Sequence, residues 1–158
     1  MRKTNQAGID LIKKYEGFSN TVYICPANYP TIGYGHLIRD HDDFSKGVTE
    51  EEADQLLKKD LTTTERAVTR LINVPLTAGQ FDALVSSTFN LGAGTLQRST
   101  LRRKLNRSDY DSVPYELKKW VWAGRKKLKG LANRRSEEAS LYWLSSIKNG
   151  RQLFHSRC

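Results

Sequence analysis

The sequence predicts an α+β fold, in which a long helix joins a small helix-and-sheet lobe to a larger all-helical lobe. Residues 18–46 mix aromatic and β-branched residues with Pro, Gly and Asn/Asp turns, as short antiparallel strands do. A helical period then runs from about residue 50 to 73, enough to span on the order of 30 Å. Helical patterns fill most of the chain from residue 77 onward. We therefore expect one domain over residues 1–158, with lobes at about 1–60 and 75–158.

Each helix has a local signal. Ile9, Ile12 and Glu16 fall on one stripe of a short first helix, which Gly17 ends. The capping box Thr49-Glu50-Glu51-Glu52 opens the long helix, and Thr77-Ala78-Gly79-Gln80 opens the next one. Further helices are predicted at about 100–106, 113–122 and 131–144.

The net charge of +9 is unevenly distributed. Residues 1–97 carry 10 Lys+Arg against 12 Asp+Glu, and residues 98–158 carry 16 against 5, a balance of +11. Such a basic segment indicates an acidic partner, which could be nucleic acid, anionic lipid or an anionic cell envelope. Composition does not choose among these three.

The two cysteines, Cys25 and the terminal Cys158, are expected to stay unbridged, as in a reducing cytoplasm. The N-terminus lacks an apolar core of signal-peptide length, and no stretch approaches the ~18 apolar residues of a membrane span. We expect a soluble protein that stays in the cytoplasm until something releases it.

Glu16 is the first candidate for chemistry. At a helix C-terminus the macrodipole disfavours negative charge, and on an apolar face desolvation does the same. Both effects would raise the pKa of its carboxyl group, as a general acid requires. The alternative is an ordinary solvated glutamate beside Lys13 and Lys14.

Spacing favours the first interpretation. Eight residues lie between Glu16 and Cys25, five lie between Cys25 and Thr31, and Thr31 opens the segment Thr-Ile-Gly-Tyr-Gly-His. In this, the chain resembles the phage-type lysozymes of glycoside hydrolase family 24, whose signature is Glu, eight residues, Asp or Cys, five residues, Thr. The segments 80–86, 89–92 and 130–138 also resemble that family, so the likeness covers nearly the whole chain and implies a lysozyme-like fold.

The resemblance implies hydrolysis of the β-1,4 bond between N-acetylmuramic acid and N-acetylglucosamine in peptidoglycan, with no metal or cofactor. It makes Glu16 the acid, Cys25 the second catalytic group and Thr31 the residue that orients a water. Many relatives have aspartate at the position of Cys25. Because a thiol is mostly neutral at pH 7, Cys25 could be base, electrostatic stabiliser, nucleophile or simply a small buried residue.

Other roles are implied less specifically. Leu37, Phe89 and Asn90 match family positions that line the saccharide cleft, although Phe89 could equally be core. Arg134 resembles an arginine that reaches the catalytic glutamate, or it forms a structural ion pair. His36 is expected to be structural. The three tryptophans are predicted to be core aromatics of the helical lobe rather than a sugar platform: Trp120, Trp122 and Trp143.

Two rivals are binding proteins without catalysis. A nucleic-acid-binding module would use the run Arg125-Lys126-Lys127-Leu128-Lys129 and the pair Arg134-Arg135, but it leaves the Glu16 register unexplained. A membrane-active protein would act through basic helices. We instead expect a monomeric endolysin that lyses the host. Its basic C-terminal lobe would be attracted to the anionic envelope, and a separate pore-forming protein would give it access to the wall.

Overall fold

The computed structural model describes residues 1–39 and 41–148 and divides them into two compact units. One unit is Ile12–Thr63, and the other combines Met1–Leu11 with the described residues from Thr64 onward. Cys158 lies outside the described residues, so the expectation about its thiol stays a prediction. Within the described ranges, no helix has both the length and the apolar character to cross a membrane.

The predicted α+β class is confirmed, with seven α-helices and five short strands in the described residues. The helices are α1 Gln6–Glu16, α2 Glu50–Leu71, α3 Ala78–Leu91, α4 Ala93–Gln97, α5 Thr100–Asn106, α6 Val113–Leu117 and α7 Lys129–Lys148. The strands are β1 Ser19–Ile24, β2 Pro30–Gly33, β3 His36–Leu37, β4 Trp122–Ala123 and β5 Lys126–Lys127. The predicted helix at 100–106 agrees with α5.

Both predicted capping boxes form. At the start of α2, the Thr49 amide donates to Glu52 at 2.8 Å and the Glu52 amide donates to the Thr49 hydroxyl at 3.1 Å. Thr77 and Gln80 make the same reciprocal pair at the start of α3. Each box satisfies two amides that the first helical turn leaves without partners.

In the unit Ile12–Thr63, strands β1, β2 and β3 form an antiparallel sheet with β2 in the centre. The end of β2 packs closely on α2, because a methyl group on Gly33 would lie 3.1 Å from the Ala53 Cβ. A hydrogen bond of 2.8 Å between His36 and Asp60 also joins the sheet to α2. The sheet therefore rests on the first half of the long helix.

The other unit is built around α3, in which every residue from Gly79 to Thr88 is buried. Helix α7 packs along it. The start of α1 is held in this unit, since the Thr4 amide and hydroxyl both donate to the Glu65 carboxylate, and the Asn5 amide donates to Asp82. The buried apolar residues around α3 include Val68, Leu71, Phe81, Leu84, Leu96, Leu101, Leu105, Val113, Leu117 and Tyr142.

The predicted helix at 113–122 is wrong beyond Leu117, because α6 ends there and Trp122 begins a β-hairpin. This small hairpin of β4 and β5 also corrects the expectation of an all-helical lobe. Gly124 opens its two-residue loop at φ +62°, and Arg125 does not have a positive φ. That combination is the type II′ turn, whose twist suits a tight hairpin.

The expectation that all three tryptophans belong to the core is also wrong. Trp120 is half-buried, but Trp122 is 58% exposed on β4 and Trp143 is 39% exposed on α7. Both residues of β4 are exposed, so Trp122 lies at the surface. On α7 the neighbouring Tyr142 takes the buried position, and Trp143 meets its ring edge-on at 5.8 Å.

Candidate active site

Glu16 is the last residue of α1, and its side chain is half-buried. The helix ends where the Gly17 amide donates to the Lys13 carbonyl at 2.9 Å, as the glycine predicted. The Glu16 carboxylate lies directly against Gly35, since a methyl group on Gly35 would be 3.1 Å from Glu16 Oε1. Gly35 has a φ of +80° and no Cβ, so the turn after β2 can approach the carboxylate closely.

Cys25 begins the loop that joins β1 to β2. Its amide donates to the Tyr29 carbonyl at 3.0 Å, and the Asn28 amide donates to the Cys25 carbonyl at 2.7 Å. Pro26 therefore occupies the second position of a type I turn, which proline's fixed φ favours. Asn28 follows in the left-handed region at φ +70°. This is the usual construction of a three-residue hairpin loop, and it turns backbone amides toward the Cys25 side chain.

Those amides stabilise a thiolate. The pKa of the Cys25 thiol is lowered, first by the backbone N–H of Tyr29, then by the Thr31 hydroxyl and further by the N–H of Ala27. Desolvation opposes these hydrogen bonds but does not outweigh them. The loop thus favours the anionic form of the Cys25 thiol.

Thr31 is buried on the central strand, at 1% exposure. Its hydroxyl donates to the Tyr29 carbonyl at 2.9 Å and also lies within hydrogen-bonding reach of the Cys25 sulfur. Because a hydroxyl has one proton, it can serve either the carbonyl or the thiolate, and its lone pairs stay available as acceptors. The acceptor of the Thr31 hydroxyl proton therefore depends on whether Cys25 is a thiol or a thiolate.

The sheet places two more side chains beside Thr31. Tyr23 on β1 and Leu37 on β3 are its direct partners in the antiparallel register. Directly opposed residues share a face of the sheet. Leu37, proposed from the sequence as a saccharide contact, is 47% exposed there.

Tyr23 was not singled out from the sequence. Partial burial raises its pKa, and the negative charges of Cys25 and Glu16 raise it further, so this phenol lies within electrostatic range of both groups. The only signal in the sequence was its place two residues before Cys25 on a predicted strand, where the alternation of side chains puts both on one face.

His36 has a structural environment. Its Nδ1 lies 2.8 Å from the Asp60 carboxylate, its ring meets Phe44 edge-on at 5.7 Å, and its side chain is 15% exposed. These contacts fix the turn Gly33–His36 on α2. That arrangement agrees with the expectation that His36 supports the site without reacting.

The remaining predicted site residues lie in the other unit, on α3 and α7. Phe89 is half-buried and Asn90 is exposed, both in the last turn of α3. Arg134 is 3% exposed, forms an ion pair with Glu138 at 3.3 Å and donates to the Ser86 carbonyl at 3.0 Å. The ion pair that the sequence offered as one interpretation of Arg134 is present.

Arg135 is fully buried beside it, and its guanidinium donates to Asn90 Oδ1. The nucleic-acid interpretation counted Arg134 and Arg135 as surface cations, and that was wrong. Both arginines lie on the buried side of α7, which packs against α3. The same side of α7 also carries Glu138 and Tyr142. Burial raises the pKa of the Glu138 carboxyl, against the opposing charges of the two arginines.

The described residues around this arrangement do not form a cluster of metal ligands. No group of three or more His, Cys, Asp or Glu is placed there to hold a metal ion. A cavity of about 570 Å³ lies in the same unit as Glu16, but none of Glu16, Cys25 and Thr31 lines it. Its walls are Lys13, Tyr34, Glu50, Glu51, Glu52, Asp54 and Gln55.

Known proteins are similar to this chain in sequence and in fold. The phage lysozyme family model matches residues 13–138. An endolysin of Bacillus phage B103 is 39% identical over 147 residues, which cover 92% of this chain and 56% of the relative. The solved muramidase domain of SpmX from Asticaccaulis excentricus is 35% identical with a TM-score of 0.81, over 90% of this chain and 98% of that one.

A crystal structure of a mutant P22 lysozyme has a TM-score of 0.82 and 33% identity, covering 90% of this chain and 99% of the other. The chain thus spans only about half the length of the B103 endolysin but nearly the full length of both solved structures. The match to the family model includes Glu16, Cys25 and Thr31. The chain therefore belongs to the phage lysozyme family and, with it, to the glycoside hydrolases.

Proposed function

We propose that this chain is an endolysin that hydrolyses the β-1,4 bond between N-acetylmuramic acid and N-acetylglucosamine in bacterial peptidoglycan and so lyses the host cell. Family membership supports the class of reaction. The single observation that best supports this site is the Cys25 loop, which directs amides and the Thr31 hydroxyl at a sulfur in the position of the family's second catalytic residue.

In the proposed reaction, Glu16 donates its proton to the glycosidic oxygen as the C–O bond breaks and the sugar gains oxocarbenium character. A water attacks the anomeric carbon from the opposite face. The Cys25 thiolate accepts a proton from that water, and the Thr31 hydroxyl orients it. The products are two shortened sugar chains, and the two proton transfers leave Glu16 ionised and Cys25 neutral until solvent restores them.

Leu37, Phe89 and Asn90 are proposed to contact the saccharide, by their register in the family. Among the described residues, Leu37 and Asn90 are exposed and able to meet a ligand, while Phe89 is half-buried. Arg134 is proposed to act on the catalytic glutamate as its family counterpart does.

The anionic envelope is proposed as a second partner of the basic C-terminal segment. In the β4–β5 hairpin and the start of α7, Arg125, Lys126, Lys127 and Lys129 are all exposed and make no ion pair within the described part of the chain. Such unpaired cations raise the local concentration of anionic polymers. Neither of the two functions without catalysis is favoured. Family membership accounts for the spacing of Glu16, Cys25 and Thr31, and Arg134 and Arg135, which a nucleic-acid-binding surface would need to expose, are buried.

The protein is further proposed to act as a monomer and to wait in the host cytoplasm until a separate pore-forming protein opens the way to the wall. The charge of +9 suits a protein that must then accumulate on an anionic polymer.

The decisive experiment is Glu16→Gln with analysis of the reducing ends released from purified peptidoglycan. We expect the parent to expose N-acetylmuramic acid at the new reducing ends and the variant to release none, with an unchanged circular dichroism spectrum. Glu51→Gln is the matched control, because Glu51 is an exposed residue of the first turn of α2 and should keep full activity. Lysis by Glu16→Gln within a few-fold of the parent would remove Glu16 from the acid role.

A further inference from the structure

The buried arginine beside Asn90 is not used by the mechanism above. Arg135 has 0% exposure, and its Nε lies 3.4 Å from Glu138 Oε1. Its Nη2 donates to Asn90 Oδ1, and its Nη1 has no hydrogen-bond partner in the described ranges. Removing a guanidinium from water is costly unless its donors are all satisfied, so packing alone does not favour an arginine here.

Charge balance does not explain it either. The other Glu138 oxygen, Oε2, already accepts from the Ser86 hydroxyl at 2.5 Å and from Arg134 Nε at 3.3 Å. One guanidinium neutralises one carboxylate, and Arg134 supplies it. Beyond its own ion pair with Glu138 Oε1, the contact that Arg135 adds is the hydrogen bond to Asn90.

That contact determines how the Asn90 amide is oriented. A guanidinium can only donate hydrogen bonds, so Asn90 must turn its carbonyl oxygen toward Arg135. The Asn90 NH₂ group then faces away from α7, and it makes no hydrogen bond within the described part of the chain. An unanchored carboxamide would flip and offer either edge, whereas this one offers donors only.

We propose that Arg135 is a positioning residue that locks the Asn90 carboxamide, so that its two N–H bonds select an acceptor oxygen of the saccharide. The inference rests on the proposed function and deepens it. The acceptor is either a sugar hydroxyl or the carbonyl of an N-acetyl group, since both present oxygen lone pairs. Arg135 touches no substrate in this scheme and acts only through Asn90.

Asn90→Asp is the sharpest test, because a carboxylate still accepts from Arg135 but presents no donor to the sugar. On soluble uncrosslinked peptidoglycan strands, KM should rise about 3- to 10-fold, the effect of one ordinary hydrogen bond, with kcat nearly unchanged. Asn133→Asp is the matched control: it adds the same charge at an exposed asparagine of α7, two residues from Arg135 and so on the opposite helix face. The control should keep the parent KM.

A double-mutant cycle separates positioning from general structural support. Arg135→Lys should raise KM in the parent but leave it unchanged in the Asn90→Ala background, because the effect passes through Asn90. A KM for Asn90→Asp within about twofold of the parent, or an equal rise with Arg135→Lys in both backgrounds, would overturn the proposal.

Partly de-N-acetylated strands identify the acceptor. If the KM ratio of Asn90→Asp to parent shrinks toward one on these strands, the N-acetyl carbonyl is the partner, and an unchanged ratio assigns a hydroxyl. Failure of the proposal for Arg135 and Asn90 can be distinguished from failure of the proposed function. An inactive Glu16→Gln with an unaffected Asn90→Asp would reject only the role of Arg135.

Discussion

Gly35→Ala should slow catalysis, because the added methyl group would meet the carboxylate proposed as general acid. The methyl carbon would lie 3.1 Å from Glu16 Oε1, so the carboxylate has to retreat by a few tenths of an ångström. Misplacement of a reacting group by 1 Å can cost about 10²-fold in rate. If the logarithm of the rate falls evenly with displacement, a shift of about 0.3 Å corresponds to about a 4-fold loss of kcat.

The backbone contributes a separate effect on stability. A φ of +80° costs a residue with a Cβ about 1–2 kcal/mol. For a chain of this size, Tm should fall by roughly 2–4 °C for each kcal/mol. Thermal unfolding therefore reports the strain, and initial rates on soluble glycan strands report the contact with Glu16.

Gly17→Ala is the matched control, since Gly17 has a similar φ of +73° but a methyl group there would meet nothing within 4 Å. It should lose a comparable amount of stability and keep more of its kcat. If the two variants lose equal stability and equal kcat, the contact between Gly35 and Glu16 does not control the rate.

Three further outcomes are expected. In the pH profile of kcat/KM, the limb on which activity rises with pH reports ionisation of the catalytic base. It should lie below the pKa of an ordinary thiol, because the Cys25 thiolate is the active form and its hydrogen bonds lower its pKa. Cys25→Asp should move that limb to acid pH, and Cys25→Ser should lose on the order of 10²-fold in kcat/KM. Near-full activity of Cys25→Ser would leave Cys25 as packing. Tyr23→Phe should leave the same limb unmoved, because the phenol, whose pKa is raised, is still neutral where Cys25 titrates and is not among the groups that lower the pKa of Cys25; a moved limb would show that Tyr23 acts on the thiolate. Raising ionic strength beyond ~0.1 M, where the Debye length is about 10 Å, should slow lysis of intact walls far more than cleavage of a short neutral oligosaccharide. Lys126→Glu with Lys127→Glu should mimic the effect of salt, and equal salt sensitivity on both substrates would refute the idea.

The features predicted correctly are those with a local cause. The two capping boxes, the end of α1 at Gly17 and the small sheet each follow from a few adjacent residues. The register of Glu16, Cys25 and Thr31 is a matter of spacing along the chain, so it can be recognised without coordinates. Their roles remain proposals.

The features that were wrong or missed leave no readable pattern in the adjacent residues. Arg134 and Arg135 look like surface cations until α7 is packed on α3. The strands β4 and β5 have two residues each, too few to show an alternating pattern against the helical period on either side. The lowered pKa of Cys25 likewise depends on the turn that its loop adopts, and composition does not report that turn.

The Cys25 loop has a consequence for which residues evolution can place there. Its largest stabilising contact is a backbone amide, and the main chain offers that amide regardless of which side chain stands at position 25. A carboxylate at this point would accept from the same N–H groups as a thiolate. Aspartate and cysteine can therefore use the same backbone hydrogen bonds in this turn. The cysteine, unlike an aspartate, is in addition a group that oxidants and alkylating agents can attack.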